Sequence, residues 1–181
     1  TIDAFSDPVI GAMADRTKTR FGKFRPYLLW GILPIASAGV LLVTVPDFSE
    51  GGKIFWAYGT YIFMMLSYSF INIPYGALLG VVTSNSQQRT ILTSFRFIGA
   101  FTGGIIVSKY MLQLVAFFGQ GDEKLGWQLA MVFFGVVAGL LFLTSFLTSR
   151  ERVEAPVVQS SPLQDVKALM DNRPWVILFS L

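Results

Sequence analysis

Four stretches of this chain, residues 27–46, 54–88, 97–121 and 125–149, run for twenty residues or more almost without charge. Three of them carry no Asp, Glu, Lys or Arg, and the third in order carries only Lys109. A segment in lipid must satisfy its own backbone polar groups, so a continuous apolar run of this kind is restricted to a helix. About 20 residues at roughly 1.5 Å rise cross the hydrocarbon core. The runs therefore predict four spanning helices, with 54–88 long enough for a span plus a turn. The fold class expected is an all-α polytopic membrane protein. Composition agrees: 14% of residues are charged and 53% hydrophobic, against roughly 25% charged in a soluble domain. The expected surface partner is the lipid bilayer. The net charge of +3 is too small, given where the charges lie, to indicate a nucleic-acid partner. With no Cys and no His, disulfides, thiolate metal sites, Cys nucleophiles and the usual proton shuttle are removed.

Two shorter apolar pieces flank the spans. Residues 1–14 read as the end of a helix cut at its start, and 174–181 as the beginning of another cut at its end. The basic residues then orient the chain. Arg16, Lys18, Arg20, Lys23 and Arg25 lie in one connection. Arg89 and Arg96 lie in and after the next one on the same side, and Arg150, Arg152, Lys167 and Arg173 in the third. Only Lys53, Lys109 and Lys124 fall elsewhere. The positive-inside rule places loops 15–25 and 149–173 in the cytoplasm and the turns near 47–53 and 119–127 outside. Within 149–173, Ser161-Pro162 followed by Gln164 reads as a helix start. Leu163, Val166, Leu169 and Met170 then share one face of a short amphipathic helix. Gly99, Gly103, Gly104, Gly135 and Gly139 read as close-packing positions. Pro8, Pro34 and Pro74 are expected to bend their helices.

Polar residues inside the spans carry the chemistry. Asp3 and Asp7 are four apart and share a helix face. Counting back from Asp15 puts them about 18 and 12 Å deep, where an ionised carboxylate marks a functional site by default. With Ser6 beside them they offer hard oxygen ligands for Na⁺ or a proton, and no other metal is expected. Asn72 lies about 15 Å from the inner end of its own helix, with Ser69 on the same face and Tyr68 and Tyr75 adding polar tips. Arg96 opens the next span as a partner for a sugar hydroxyl or carboxylate. Lys109, deeper, is a candidate counter-charge for an acidic substrate.

These residues also carry a family resemblance. Asp3-Ala4-Phe5-Ser6-Asp7-Pro8, then Gly11, Asp15-Arg16-Thr17 and Gly22-Lys23-Phe24-Arg25-Pro26, resemble the glycoside–pentoside–hexuronide:cation symporters, the melibiose-carrier-like family of the major facilitator superfamily. So do Asn72-Ile73-Pro74-Tyr75-Gly76-Ala77-Leu78 and Arg89-Thr90 with Arg96. The resemblance covers essentially the whole chain. It implies the major facilitator fold, here helices two to six plus the start of helix seven. Residues 1–148 would be the N-terminal bundle without its first helix, 149–173 the cytoplasmic middle loop, and 174–181 the start of the C-terminal bundle. It implies a cation site at the positions of Asp3, Ser6, Asp7 and Ser69, and a sugar site at those of Asn72, Gly76 and Arg96. Asn72 and Gly76 stand where the melibiose carrier has an Asp and a Trp. The loop also resembles the general facilitator motif, in which Asp15 with Arg16, Arg20, Gly22 and Arg25 would latch the inner side shut.

The expected function is secondary active transport: symport of a sugar or glycoside with a monovalent cation, Na⁺ or H⁺, by alternating access. The protein is expected to be a monomer in the plasma (inner) membrane, with no cofactor and no enzymatic activity. Two rival classes weigh less. An intramembrane prenyltransferase pairs one Asp-x-x-x-Asp with a second acidic cluster, and none appears in the other spans. A non-transporting membrane receptor has no use for paired deep carboxylates.

Overall fold

The computed structural model describes residues 3–151, with side chains described from Ser6 onward. Six helices follow one another: α1 (Asp3–Arg16), α2 (Arg25–Trp30), α3 (Ile32–Val43), α4 (Glu50–Val82), α5 (Ser86–Gly119) and α6 (Glu123–Thr148). By length and apolarity four units suffice to cross a membrane: Arg25–Val43, Glu50–Val82, Ser86–Gly119 and Glu123–Thr148. The all-helical polytopic expectation holds, with finer boundaries than the charge-free runs suggest. The expected amphipathic helix within 161–173 and the helix start at 174–181 lie outside the described residues.

The first span is divided at Gly31. Pro34 has no N–H to give the Trp30 carbonyl, so the ladder loosens one turn before it. Gly31 keeps helical dihedrals (φ −79°, ψ −12°), and the Gly31 N–H still reaches the Tyr27 carbonyl at 2.9 Å. Its glycine is required by packing instead, because a Cβ there would run into the Ile71 side chain of α4. The second span behaves otherwise. Pro74 lies inside α4, fully buried, and the helix continues through it. The whole of 50–82 is a single helix where the charge-free run predicts a span plus a turn.

Helix starts follow local chemistry. The Asn85 side chain caps α5 by accepting from the Gln87 N–H at 2.9 Å, and Asp122 caps α6 through the Leu125 N–H at 3.1 Å, as short polar side chains do at N-caps. Between them α5 ends in left-handed backbone at Gln120 (φ 45°) and Gly121 (φ 106°). The two helices then meet backbone to backbone, since a Cβ on Gly119 would sit 3.1 Å from the Gly126 Cα.

One apolar cluster joins the ends of α1, α2, α4 and α6: Ala14, Phe24, Tyr27, Leu28, Ile71, Leu78, Val81 and Phe146. Loop 17–25, the α4–α5 connection and the end of α6 therefore share one end of the bundle. At the opposite end Lys124 reaches Asp47 at 3.5 Å, bringing the other two turns together. α3 packs on α6 and α4, α5 on α6, and α1 on α4, while α4 and α5 touch little. Large apolar side chains such as Leu33, Phe55, Phe101 and Phe117 face outward from the bundle.

Candidate functional site

Because α4 and α5 diverge, a cavity of about 750 Å³ opens between them and α6, lined by Tyr68, Asn72, Tyr75, Arg96 and Ser145 among apolar side chains. Arg96 is not at a helix start. α5 begins at Ser86, so Arg96 stands almost three turns inside it. From there its Nη2 donates to Asn72 Oδ1 at 2.6 Å, and its guanidinium carbon lies 4.7 Å from the Tyr75 ring centroid. Asn72 and Tyr75 are three apart and thus on one face of α4. A planar guanidinium held by an amide oxygen and an aromatic face is fixed in direction while keeping donors free. Gly76 completes the group: a Cβ there would stand 3.9 Å from Arg96 Nη1, ordinary contact, so the absence of a large side chain leaves the guanidinium and the cavity open.

The cation candidates lie on the neighbouring pair of helices. Ser6 Oγ donates to Asp7 Oδ1 at 3.4 Å on α1, both partly buried. Asp3 begins the same helix, and its side chain is outside the described residues. α1 packs along α4, where Ser69 is buried three residues before Asn72. Lys109 does not join the Asn72–Arg96 group. It is about 20 Å farther along α5 and on a different face, exposed beside Tyr110 at 5.4 Å. It lines a separate groove with Phe101, Gly104 and Ser108.

The basic loop is ordered around glycine and two carboxylates. Gly22 adopts φ 107°, left-handed backbone that glycine tolerates best, and Thr19 Oγ1 donates to its carbonyl at 2.7 Å. Asp15 pairs with Lys23 at 3.0 Å. The expected arginine partners are engaged elsewhere: Arg20 lies over the Phe21 ring at 4.5 Å, Arg25 lies over the Phe146 ring at 4.9 Å and donates to the Phe146 carbonyl, and Arg16 is exposed. Sequence reasoning passed over Glu151. Its carboxylate accepts from the backbone N–H groups of Lys23 (2.8 Å), Phe24 (2.8 Å) and Arg25 (3.0 Å) at the start of α2. An acid flanked by Arg150 and Arg152 just past a span was the available signal.

A model of the MFS/sugar transport protein family matches residues 1–181. The chain belongs to that family. Similar members include the inner membrane symporter YicJ of Escherichia coli (strain K12), 41% identical over 177 residues, covering 98% of this chain and 38% of the relative. The uncharacterized symporter YnaJ of Bacillus subtilis (strain 168) is 41% identical over 181 residues, covering 98% and 39%. The isoprimeverose transporter of Lactiplantibacillus pentosus is 41% identical over 181 residues, covering 98% and 38%. The chain thus spans about two-fifths of the length of these MFS relatives. MFS membership agrees with the resemblance carried by the Asp3–Pro8 and Asn72–Leu78 stretches. It makes this a chain of a transporter family, and its long apolar helices those of a multi-pass membrane protein.

Proposed function

We propose that the chain forms part of a symporter that moves a sugar or glycoside together with Na⁺ or H⁺ by alternating access. The Asn72–Arg96–Tyr75 group carries this reading: a directed guanidinium and an amide face a cavity within otherwise apolar helices. A sugar presents both donors and acceptors on a ring with one apolar face. Arg96 supplies donors, Asn72 a donor and an acceptor, Tyr75 an aromatic surface, and Gly76 the space. Asp3, Ser6, Asp7 and Ser69 form the cation site in this reading, because two carboxylates offset the desolvation of a bound cation. Lys109, off the group, is left without a substrate contact.

The remaining features follow the same reading. Loops 15–25 and 149–173 are cytoplasmic, residues 1–148 belong to the N-terminal bundle, 149–173 form the middle loop and 174–181 begin the C-terminal bundle. The protein works as a monomer in the plasma (inner) membrane, without a cofactor or enzymatic step. The relatives' names as symporters and as an isoprimeverose transporter support the substrate class. The test is uptake of a panel of glycosides, pentosides and hexuronides by the full-length protein in vesicles, with and without Na⁺ or a proton gradient. Cation-stimulated accumulation of at least one sugar is expected. Equal uptake with and without either gradient for every sugar would sink the proposal.

A further inference from the structure

Glu151 makes contacts that neither the cation site nor the sugar site uses. Its side chain crosses from the end of α6 to the start of α2 and accepts three successive backbone N–H groups. The first N–H groups of a helix have no partner inside it, and an anion there is favoured by charge-assisted bonds and the helix dipole. The fit is close on both sides. A Cβ on Gly22 would lie 2.5 Å from the Glu151 carboxylate, so Gly22 supplies room for the acid as well as the left-handed turn. Arg25 returns the connection, donating to the Phe146 carbonyl and stacking on its ring. One short loop, 17–25, is thus pinned to α6 from both directions, and the same loop places Lys23 against Asp15.

We propose that Glu151 is a positioning residue for the conformational cycle, fastening loop 17–25 to the end of α6 and thereby setting the balance between inward-open and outward-open forms. The proposal rests on the alternating-access reading above. α6 leads into 149–173, the segment that reading places between the two bundles. A shift at the end of α6 is therefore passed through Glu151 to the loop bearing the Asp15–Lys23 pair. Without the carboxylate the N–H groups turn to water, the loop loosens, and the inner side is held closed less often.

The experiment uses the full-length protein carrying Ser145→Cys on the cavity wall, otherwise free of cysteine. Glu151→Ala and Glu151→Gln are compared with that parent. Three quantities are read: hydrogen exchange at the amides of Lys23, Phe24 and Arg25, maleimide labelling of the cysteine from each membrane side, and, with Ser145 kept, maximal rate against KM of uptake. Glu151→Ala is expected to speed exchange at the three amides and to shift labelling toward the cytoplasmic side. Maximal rate should fall at least about fivefold with KM within about twofold, the scale set by losing charge-assisted bonds. Glu151→Gln, keeping an acceptor oxygen without charge, should fall between Ala and the parent, and it decides the matter should Glu151→Ala not fold. Faster exchange with unchanged labelling and rate would reduce Glu151 to a structural cap and overturn the proposal, as would unchanged exchange. If the full-length protein that keeps Ser145 shows no cation-stimulated uptake, the transport reading fails, and unshifted labelling still counts against Glu151.

Discussion

Removing the Asn72 side chain tests the proposed sugar site most directly. Asn72→Ala takes away the oxygen that Arg96 Nη2 meets at 2.6 Å and leaves the Tyr75 ring, 4.7 Å away, as the described contact of the guanidinium. A hydrogen bond to a charged group contributes about 1.5–3 kcal/mol net. Arg96 is only partly buried beside an open cavity, so water replaces part of that loss, and about 1–2 kcal/mol is the expected cost to sugar binding, roughly a 5- to 30-fold weaker affinity. Cation affinity should change less, since a neutral amide adds little Coulomb attraction to two carboxylates. Asn72→Asp discriminates further. At 2.6 Å the new carboxylate would be neutralised by Arg96 itself, drawing the guanidinium into an ion pair and away from the ligand. Sugar binding should weaken there too, with the fold intact. Isothermal titration of the purified full-length variants with sugar and with cation, separately, reads both affinities. Lost cation binding with intact sugar affinity in Asn72→Ala would refute the division of labour.

Asp7→Asn and Asp3→Asn should each abolish cation stimulation of uptake while weak sugar binding survives, because coupling is a free energy between two sites that keep their own contacts; stimulation retained in both variants would remove the cation assignment. Reporter fusions at Gly22 and Ser160 should read cytoplasm and one at Gly121 the outside, and a cytoplasmic signal from Gly121 would overturn the proposed orientation. Asp15→Ala, which breaks the pair with Lys23, should lower transport rate more than sugar affinity by shifting a two-state equilibrium. Equal labelling of inner- and outer-side sites in variant and parent would count against it.

The spans were legible because lipid leaves one local solution for a long apolar run, and the four runs became the four long helical units. Their ends were less so. Arg89 to Arg96 looked like loop and helix start because charge was used as the boundary, yet α5 begins at Ser86 under the cap of Asn85. Local cap chemistry sets that end, and charged residues are tolerated in the first turns. Pro34 and Pro74 illustrate a different limit: one accompanies a break between α2 and α3, and the other sits fully buried in an unbroken helix. For the site, Asn72 and Arg96 were singled out separately by polarity within apolar runs. That they bond to each other across 24 positions depends on how α4 and α5 diverge, a tertiary fact. Glu151 was hidden for the same reason, since its partners are more than 120 positions away and are backbone groups common to every residue.

The two ends of the bundle are fastened by different materials. At the end of loop 17–25 the tie is a carboxylate locked onto backbone N–H groups, sensitive to a single methylene at residue 151 or a methyl at residue 22. At the other end Lys124 and Asp47 meet at 3.5 Å with side chains 69% and 98% exposed, a contact that ordinary salt largely screens. Mutational drift therefore has unequal room. The exposed turn around Asp47 can exchange residues and absorb insertions, whereas loop 17–25 and the residue closing α6 are constrained to change together.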